Sequence, residues 1–420
     1  MKVLLINPNR YKSPPVPPLG LEYVAGSLEE KGHGVELLDL CFSGNIHEEI
    51  DRSIRSFGPD IAGITVRNVD SVLFHTNEFF LDGIRDIVNH IKSGYGLKTV
   101  IGGAGVSVNP QGMLEYLNAD FAVAGPAENT VHEILEKLNG PDDKRIYYSR
   151  YPGRSSYCGR KLLADYGKYL KEGGLAGFET HKGCSSSCVY CIEANSKVSF
   201  KEPSDVIGEI KRLIERGCSH FHLCDSEFNE ILEYSLDFCA ALKNERLDIR
   251  WAVYMKPANF SRKLFQLMKD TGVYLVTLAV DSYKKCDHYW TDIEKFIFGA
   301  KSCGMKVAVD FLTGFPYETL DDIRMHLDNL RRPMPDSIGV NTYIRLYETL
   351  PLTSIIFKDA ALREKLTGDT GDRTLIKPLF YNHINTEMLG QIIDGDSIVR
   401  IEGPEKRVNY SRVDDPVTAG

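Results

Sequence analysis

The chain has 420 residues, with 50 Lys and Arg against 58 Asp and Glu, a formal net charge of −8 and 10 Cys. Its basic residues are scattered along the sequence, which excludes the charged footprint of a nucleic-acid-binding protein and that of a protein held on an anionic membrane surface. A chain of this length is expected to divide into two or three domains.

The amino-terminal apolar run ends at Asn7 and Pro8. It is too short for the apolar region of a signal peptide, and no later run is long enough for a membrane span. We therefore predict a cytoplasmic protein without a membrane or nucleic-acid partner. Thiols are reduced in that compartment, so a tight group of cysteines indicates a metal or catalytic site rather than disulfides.

Residues 1–140 alternate between short apolar strands and amphipathic helices, which is typical of parallel α/β folds. The five predicted strands are "KVLLINP", "GVELLDL", "IAGITV", "KTVIGG" and "FAVAG". They predict a doubly wound, Rossmann-like sheet, whose ligand crevice lies beyond the carboxyl ends of its strands. The segments found at those ends are "NPNRYKSPPVPPLG", "TVRN", "GGAGVS" and "GPAEN".

The alternation is lost over residues 141–176, which we interpret as a linker, and it returns over residues 177–353. Six further strands are predicted there: "GFETHKG", "HFHLCD", "DIRWAVYM", "YLVTLAV", "KVAVDFLTG" and "SIGVNTYIR". Six βα units are too few for a closed eight-stranded barrel, so we expect a partial (β/α)6 barrel with an open mouth. Residues 354–420 are irregular and polar, and they are predicted to form a short C-terminal segment.

The stretch "GCSSSCVYC" places Cys184, Cys188 and Cys191 at the spacing C-x3-C-x2-C. Thiolates are the usual ligands of iron-sulfur clusters, and a cubane that only carries electrons takes four of them. Three ligands leave one iron open to a substrate, as catalytic zinc sites keep one position open. The alternatives are a zinc site or buried structural thiols. Zinc sites usually combine two C-x2-C pairs, and the neighbouring Cys218 and Cys224 have a different spacing.

The element formed by Cys184, Cys188, Tyr190 and Cys191, directly after the strand "GFETHKG", resembles the signature of the radical S-adenosylmethionine (SAM) superfamily. The resemblance implies a [4Fe-4S] cluster held by the three cysteines, with SAM bound to the remaining iron. Reduction of such a cluster by an external electron donor cleaves SAM and yields a 5'-deoxyadenosyl radical.

The same resemblance implies a set of contacts to SAM. The segment "CDSEFN" stands where the superfamily has a polar stretch near the methionine amino group, "TGFPYET" resembles the turn near adenine, and "LAVDS" carries Asp where the family usually has Glu. The alternatives are a solvated turn, an ordinary αβ turn and, for the aromatic residue of the cysteine motif, a core side chain. The residues expected to bind SAM are Tyr190, Asp225, Ser226, Glu227, Asp281 and Gly314.

Residues 1–140 resemble the cobalamin-binding domain that is fused to one subgroup of radical SAM enzymes. The matching segments are "INPNRYKSPPVPPLGLEYVAGSLEEKGHGVELLDL", "GPDIAGITV", "VIGGAGVSVNP" and "FAVAGPAENTVHEIL". Their glycines allow the backbone to approach a large flat ligand without a clash at Cβ. The residues expected to bind cobalamin are Tyr11, Thr65, Arg67, Asn68, Gly102, Gly103, Gly105, Val106, Gly125 and Glu128.

The first loop departs from the pattern of classical cobalamin domains. Those domains carry D-x-H-x-x-G after the first strand, whereas "NPNRYKSPPVPPLG" contains no His that could bind cobalt from below. In members of that subgroup without the His, a residue after the third strand can lie under the corrin, so the resemblance implies Arg67 or Asn68 at this position, with Tyr11 as another possibility. His33 is interpreted as a turn residue. A guanidinium cannot ligate cobalt, so the sequence predicts a cobalamin without a histidine lower ligand.

A deoxyadenosyl radical beside a methylated cobalamin fits the methylation of an unactivated sp3 carbon. We expect the radical to abstract hydrogen, the substrate radical to take the methyl group, and a second SAM to remethylate the cobalamin. The competing interpretations are a cobalamin-containing radical enzyme that rearranges a small molecule without methylating it, and a sensor or electron carrier. No catalytic residue is assigned from the sequence.

The short C-terminal segment leaves little protein to enclose a small molecule, so a peptide or protein substrate is expected. In length and compact C-terminus the chain is similar to the methanogen enzymes that C-methylate a glutamine of methyl-coenzyme M reductase, a post-translational modification, which names the reductase alpha chain as the partner. The alternative for the tyrosines and basic residues at the barrel mouth is packing or a solvated rim. The candidates for substrate contact are Tyr254, Lys256, Tyr343, Arg345 and Tyr347.

Overall fold

The computed structural model describes residues 1–138, 144–149, 151 and 158–404. Its first domain is a six-stranded parallel sheet in the order β2-β1-β3-β4-β5-β6, with helices on both faces. The strands are β1 (Lys2–Asn7), β2 (Gly34–Asp39), β3 (Ile61–Thr65), β4 (Lys98–Gly102), β5 (Phe121–Ala124) and β6 (Ile146–Tyr148). The helices are α1 (Leu19–Glu30), α2 (Ile46–Phe57), α3 (Leu81–Tyr95), α4 (Pro110–Tyr116) and α5 (Val131–Lys137).

Local sequence signals explain where these helices begin and end. The side chain of Asn45 accepts a hydrogen bond from the backbone N–H of Glu48 and caps α2, and Gly58 ends that helix in the left-handed conformation. The buried face of α2 is formed by Ile50 and Ile54, which pack on the sheet. The doubly wound sheet predicted from the sequence is confirmed, with one strand more than expected.

The additional strand, β6, lies inside the segment that we interpreted as a linker. It pairs in parallel with β5 through Tyr147 and Ile146. Tyr147 is fully buried. Three residues are too few for an apolar alternation to be recognised, so the strand could not be predicted by pattern. The remainder of residues 141–176 that the structure describes includes α6 (Tyr166–Lys171), while residues 141–143, 150 and 152–157 lie outside the described part of the chain.

The second domain is a partial barrel of six parallel strands in the order β14-β13-β12-β11-β10-β7, as predicted. A core cluster around Trp251 fills the space between these strands and the surrounding helices. The elements are β7 (Ala176–Phe178), β8 (His181–Lys182), β9 (Ser199–Phe200), α7 (Pro203–Glu215), β10 (His220–Leu223), α8 (Leu232–Asn244), β11 (Arg250–Met255), α9 (Arg262–Asp270), β12 (Val273–Asp281), α10 (Asp287–Ser302), β13 (Lys306–Leu312), α11 (Leu320–Arg331) and β14 (Ser337–Asn341).

The C-terminal segment is more closely integrated than its sequence indicates. Its last strand pairs in parallel with β14 and adds a seventh strand to the barrel sheet, and a small antiparallel sheet forms in the order β15-β17-β16. In the described residues no helix is both long enough and apolar enough to cross a membrane. The elements are β15 (Ile344–Arg345), α12 (Pro351–Lys358), α13 (Ala360–Arg363), β16 (Leu366–Gly368), β17 (Leu379–Tyr381), α14 (Thr386–Ile393) and β18 (Val399–Ile401).

Candidate functional site: a cysteine loop beside an interdomain cavity

The three motif cysteines lie on one loop between β8 and β9. Cys184 is buried, while Cys188 and Cys191 are half-buried, and none forms a disulfide. The loop is closed by Ser196, whose hydroxyl accepts a hydrogen bond from the backbone N–H of Cys184 at 2.8 Å and donates to the carbonyl of Glu193 at 2.7 Å. Burial raises the pKa of Cys184 to about 11 and raises the pKa of the other two thiols. Metal binding must therefore displace thiol protons.

Within the described residues, no three side chains of His, Cys, Asp or Glu converge on one point as ligands of a single ion would. The donor set nevertheless fits an iron-sulfur cluster, because three free thiols on one short, internally hydrogen-bonded loop present ligands to separate corners of a cubane. These residues are the metal ligands predicted from the sequence.

Glu227 fits the ammonium of a SAM molecule. It follows β10, its side chain is half-buried, and its Oε2 is buried without a hydrogen-bond partner in the described part of the chain. Burial raises the pKa of Glu227 to about 8, with the nearby Lys256 opposing this shift. A buried acceptor without a donor calls for a hydrogen-bonding cation, so the prediction for Glu227 agrees with its environment.

Asp225 has a different role from the one predicted. It is buried, and its carboxylate accepts hydrogen bonds from the backbone N–H and the hydroxyl of Thr180 and lies 3.1 Å from Nδ1 of His181. These contacts connect the end of β10 to the segment that enters the cysteine loop, and they engage both carboxylate oxygens of Asp225. Ser226 donates its hydroxyl to Glu193 and lines the cavity described below. The sequence alone does not show which of Asp225, Ser226 and Glu227 forms hydrogen bonds within the protein and which is left to bind a ligand.

Tyr190, Asp281 and the turn at Gly314 are brought together by the fold. The hydroxyl of Tyr190 lies 3.3 Å from Oδ2 of Asp281, which also forms an ion pair with Lys285 at 2.9 Å. The ring of Tyr190 packs on Phe315 with centroids 5.6 Å apart. Asp281 therefore positions the ring of Tyr190 beside the turn. Its carboxylate is already paired with the ammonium of Lys285.

Glu318 is a residue of this turn that the sequence reasoning did not select. Its Oε2 accepts hydrogen bonds from the backbone N–H groups of Gly314 and Phe315 at 2.7 and 3.0 Å, and its Oε1 is buried with no partner in the described residues. Gly314 has φ +88°, and a Cβ there would lie 2.4 Å from the carbonyl oxygen of Thr342. The signal in the sequence was the Glu four residues after the Gly, which closes the turn.

A cavity of about 1440 Å³, counted out to its open mouth, separates the carboxyl edge of the first sheet from the cysteine loop. Gly103, with φ +103°, keeps its rim open, since a Cβ there would lie 2.7 Å from the carbonyl oxygen of Val66. A rim of backbone atoms, which a flat ligand can approach without a clash at Cβ, fits a corrin. The predicted cobalamin residues that line it are Thr65, Gly102, Gly103, Gly125 and Glu128, and from the second domain it is lined by Glu179, Lys182, Cys224 and Ser226.

The other predicted cobalamin residues lie outside this lining. Tyr11 packs against Phe80 with ring centroids 5.8 Å apart. Gly105 and Val106 are buried behind the rim, where a Cβ on Gly105 would meet the side chain of Val66 at 2.8 Å, so this glycine is required by packing. Arg67 and Asn68 are exposed after β3. The positive charge of Arg67 lowers the pKa of His222 in the second domain after the larger effect of burial, so its side chain faces that domain.

An ionic network joins the two domains at the edge of the cavity. Nζ of Lys182 lies 3.1 Å from Glu128 and 3.0 Å from Glu179, and Lys201 lies 3.2 Å from Glu179. Burial alone would raise the pKa of Glu179, but the two lysines lower it to about 2. Lys201 is 1% exposed and also contacts the hydroxyl of Tyr23 on α1. Glu128, expected to contact cobalamin, is therefore paired with the residue two positions before Cys184.

Two of the predicted substrate residues lie in or near the barrel mouth. The hydroxyl of Tyr254 donates to Oδ2 of Asp310 at 2.9 Å inside the barrel. Lys256 forms an ion pair with Glu230 at 3.0 Å beside the cysteine loop, where Glu230 also accepts a hydrogen bond from Ser185. Lys256 thus supports the loop rather than projecting from a rim.

The other three predicted substrate residues form an interdomain contact. Arg345 is buried, with Nε 2.7 Å from Asp70 and with hydrogen bonds to the carbonyls of Leu346, Leu375 and Ile376. This pairing contradicts the expectation that Arg345 faces a substrate. The guanidinium lies 4.5 Å from the ring centroid of Tyr347, and Tyr343 stacks on Phe74 with centroids 3.7 Å apart. These residues hold the two domains together.

Two domain families match the chain. Residues 13–135 match the B12 binding domain, and residues 178–330 match the radical SAM superfamily. The chain is 23% identical to tryptophan 2-C-methyltransferase of Streptomyces laurentii over 82% of this chain and 72% of that protein. It is 24% identical to cytidylyl-2-hydroxyethylphosphonate methyltransferase of Streptomyces wedmorensis over 75% of this chain and 73% of that protein.

A solved structure shares the whole architecture. The radical SAM methyltransferase TsrM of Kitasatospora setae, with cobalamin and a [4Fe-4S] cluster bound, superposes with a TM-score of 0.85 at 22% identity, covering 96% of this chain and 93% of that one. This likeness confirms the predicted fold of a Rossmann-like domain followed by a radical SAM barrel. The chain thus combines a segment that matches the B12 binding domain with one that matches the radical SAM superfamily, with cobalamin, a [4Fe-4S] cluster and SAM as cofactors, and the relatives named above are methyltransferases.

Proposed function

We propose that the enzyme transfers a methyl group from methylcobalamin to a carbon atom of its substrate. One observation carries this proposal: the cysteine loop and the glycine rim of the first sheet face the same interdomain cavity, with Gly183 on one side and Gly103 on the other. A radical source and a methyl carrier that share one cavity can act on the same substrate carbon without an intervening release step.

The bound cofactors would supply a 5'-deoxyadenosyl radical and a transferable methyl group. The chain's own residues bind, orient and shield them. The three thiols lose their protons to hold the cluster, and the buried Oε2 of Glu227 offers an acceptor to an ammonium group. The ion pair of Glu128 with Lys182 lies in the wall of the cavity and joins the two domains there.

The substrate predicted from the sequence was an unactivated sp3 carbon of a peptide, with the glutamine of methyl-coenzyme M reductase as the specific guess. That prediction rested on a C-terminal segment too short to enclose a small molecule. The structure weakens this reason, because β18 extends the barrel sheet and β16 and β17 pack beside it. The named relatives act on tryptophan and on a cytidylyl phosphonate. We therefore propose a small molecule as the substrate, and the peptide becomes an arm of the test.

The test is an anaerobic assay of the reconstituted enzyme with methylcobalamin, SAM carrying a trideuterated methyl group, and an external reductant. L-Tryptophan, a set of amino acids and amines, and a glutamine peptide of methyl-coenzyme M reductase are separate arms. The expected result is a product that carries an unlabelled methyl group after the first turnover and a labelled one after SAM has remethylated the cobalamin, together with 5'-deoxyadenosine. Cys188→Ala should abolish both products, while Cys303→Ala, outside the motif, should retain them.

Each other outcome has a clear meaning. Deoxyadenosine without a methylated product in any arm would favour the non-methylating rearrangement. Methylation without deoxyadenosine would contradict hydrogen abstraction from an sp3 carbon. Methylation of the peptide alone would restore the macromolecular substrate predicted from the sequence.

A further inference from the structure

The C-terminal segment brings an apolar core of its own to the cysteine loop. Each side chain of this core is at most 6% exposed, and all but one lie beyond residue 330, where the match to the radical SAM superfamily ends. That match therefore gives them no role. We call this core the C-terminal apolar cluster, and it consists of Phe315, Ile344, Leu346, Leu352, Ile356, Leu362, Leu375, Leu379 and Tyr381.

Two residues of the cysteine loop pack against this cluster. They are Val189 and Tyr190, which stand between the second and third motif cysteines. Helix α12 contributes Leu352 and Ile356 to the same cluster, and both side chains are fully buried. The apolar surface that is buried here favours the packed position of the loop over an open one. The second half of the loop therefore rests on the C-terminal segment.

A backbone hydrogen bond joins the same half of the loop to α12. The N–H of Leu352 donates to the carbonyl of Val189 at 3.1 Å. Leu352 is the second residue of the helix, after Pro351, so its N–H is one of those that find no acceptor within the helix. Leu350, at the N-cap position, has no polar side chain that could supply one. The carbonyl of Val189 therefore caps α12, and a shift of the loop would leave this N–H unpaired.

The first half of the loop has different supports. The hydroxyl of Ser196 accepts a hydrogen bond from the backbone N–H of Cys184, and the hydroxyl of Ser185 donates to the carboxylate of Glu230. These partners belong to the loop itself and to the segment that follows β10. The two halves of the cysteine motif are thus held from different sides, and α12 holds the half that carries the second and third cysteines.

We propose that α12 belongs to the cluster site and that Leu352, acting through Val189, holds the second and third motif cysteines in place. A cluster with one open iron is bound by three thiolates alone, so the surrounding protein must fix each of them. Leu352 is a positioning residue, since it acts through the loop. The inference rests on the predicted cluster at the three motif cysteines, and it holds whichever compound is methylated.

The first test measures thiol reactivity in the full chain without a cluster. Iodoacetamide is added under reducing, anaerobic conditions, and the modified cysteines are identified by mass spectrometry. In Leu352→Ala, Cys188 and Cys191 should react about tenfold faster than in the unchanged chain, because the loop opens more often. Cys184, which has its own supports, should react at nearly the same rate in both chains. The exposed Cys286 reports the activity of the reagent.

The second test measures the reconstituted cluster and needs no turnover. In Leu352→Ala, the absorbance of the [4Fe-4S] cluster should be lost in air about tenfold faster than in the unchanged enzyme, because the loop that holds it opens more often. The electron paramagnetic resonance spectrum of the reduced cluster should broaden, because its ligands are less fixed. Leu352→Met retains the apolar volume and should restore both properties. A role of Leu352 in stability alone would leave them unchanged.

Leu389→Ala is the matched control. Leu389 on α14 is as fully buried as Leu352, but it belongs to the barrel core around Trp251. Its truncation should destabilise the chain to a similar extent and leave the thiol reactivity and the cluster lifetime as they are. Leu352→Val is a smaller truncation that should produce the same pattern with smaller changes, and it decides the question if Leu352→Ala does not fold.

The inference is overturned if Leu352→Ala leaves the reactivity of Cys188 and Cys191 unchanged, if all three motif cysteines react faster to the same extent, or if Leu389→Ala has equal effects. A chain that takes up no iron would overturn it as well. Because neither test involves a methyl acceptor, its failure is distinguishable from a failure of methyl transfer. Methylation by an enzyme whose cluster is insensitive to Leu352→Ala would support the proposed function and contradict this inference.

Discussion

The ammonium of Lys182 lies 3.1 Å from the carboxylate of Glu128, and this pair connects the strand leading into the cysteine loop to the rim of the cobalamin-like domain. Lys182 is 16% and Glu128 11% exposed at the side chain. Burial would lower the pKa of Lys182, but Glu128 and Glu179 together raise it above its usual value. The lysine is therefore charged at any physiological pH, and its position depends on both carboxylates.

Replacing Glu128 with Gln should loosen this connection. The variant keeps the side-chain size but removes one of two charges around a buried lysine, and we expect a loss of about 1–3 kcal/mol in the free energy of unfolding, less than for a fully broken buried pair because Glu179 remains. Denaturant unfolding of the cofactor-free chain measures it. Glu29→Gln, in the more exposed pair with Lys161, is the control and should change little. Equal effects of the two substitutions would contradict the special role of the interdomain pair.

Glu227→Gln should change the pH dependence of stability. The folded pKa of Glu227 is about 8, above its ordinary value of 4.5, so the folded chain holds a proton that the unfolded chain has lost between these pH values. Stability then falls as pH rises through this window, by at most about 1.4 kcal/mol per pH unit. The variant lacks this decline and should gain stability relative to the unchanged chain between pH 6 and 8. Parallel pH profiles of thermal unfolding for Glu227→Gln and the unchanged chain would argue against a raised pKa of Glu227. We also expect the variant to bind SAM more weakly.

Arg345→Ala should destabilise the chain strongly. Its guanidinium and the carboxylate of Asp70 are 4% and 0% exposed, and removing one partner leaves the other buried and unpaired, at about 3–5 kcal/mol. The loss is measured by denaturant unfolding. Arg324→Ala, in an exposed pair with Asp321, should have little effect. If Arg345→Ala changes the free energy of unfolding only slightly but abolishes substrate binding, the result would support the substrate contact predicted from the sequence.

Gly103→Ala should reduce both stability and cobalamin retention. The added Cβ would lie 2.7 Å from a carbonyl oxygen at a positive φ, for which we expect a loss of about 1–3 kcal/mol in the free energy of unfolding. Gly83→Ala is the matched control, because this position in α3 has no atom within 4 Å of a new Cβ and should gain up to about 1 kcal/mol. Gel filtration after loading with cobalamin measures retention. Full retention of cobalamin by Gly103→Ala would contradict a contact between this glycine rim and the cofactor.

The sequence was sufficient for the domain order and the six barrel strands because each carries a local pattern, while the three motif cysteines stay predicted cluster ligands. Asp225 and Arg345 could not be placed in this way. The partner of Arg345 is 275 positions away in the chain, and no local pattern encodes that contact. Asp225 and Glu227 are two residues apart at one strand end. Asp225 accepts hydrogen bonds from Thr180, whereas Oε2 of Glu227 has no donor among the described residues. Which of two similar acids stays available depends on tertiary packing.

The strands β6 and β18 could not be predicted for a related reason. Each has three residues, and each is stabilised by the sheet edge that it joins rather than by its own apolar pattern. In the same way, Glu128 was predicted to contact cobalamin from its place after β5 and it lines the cavity, but its pairing with Lys182 depends on how the two domains meet.

The pairing of β18 with β14 has a consequence for synthesis. Three helices separate these strands in the chain, so the outer edge of β14 stays uncovered while the ribosome makes residues 342–398. An uncovered edge presents unpaired backbone groups to other nascent chains. Chains halted before residue 399 should therefore aggregate, because they lack the strand that covers the outer edge of β14.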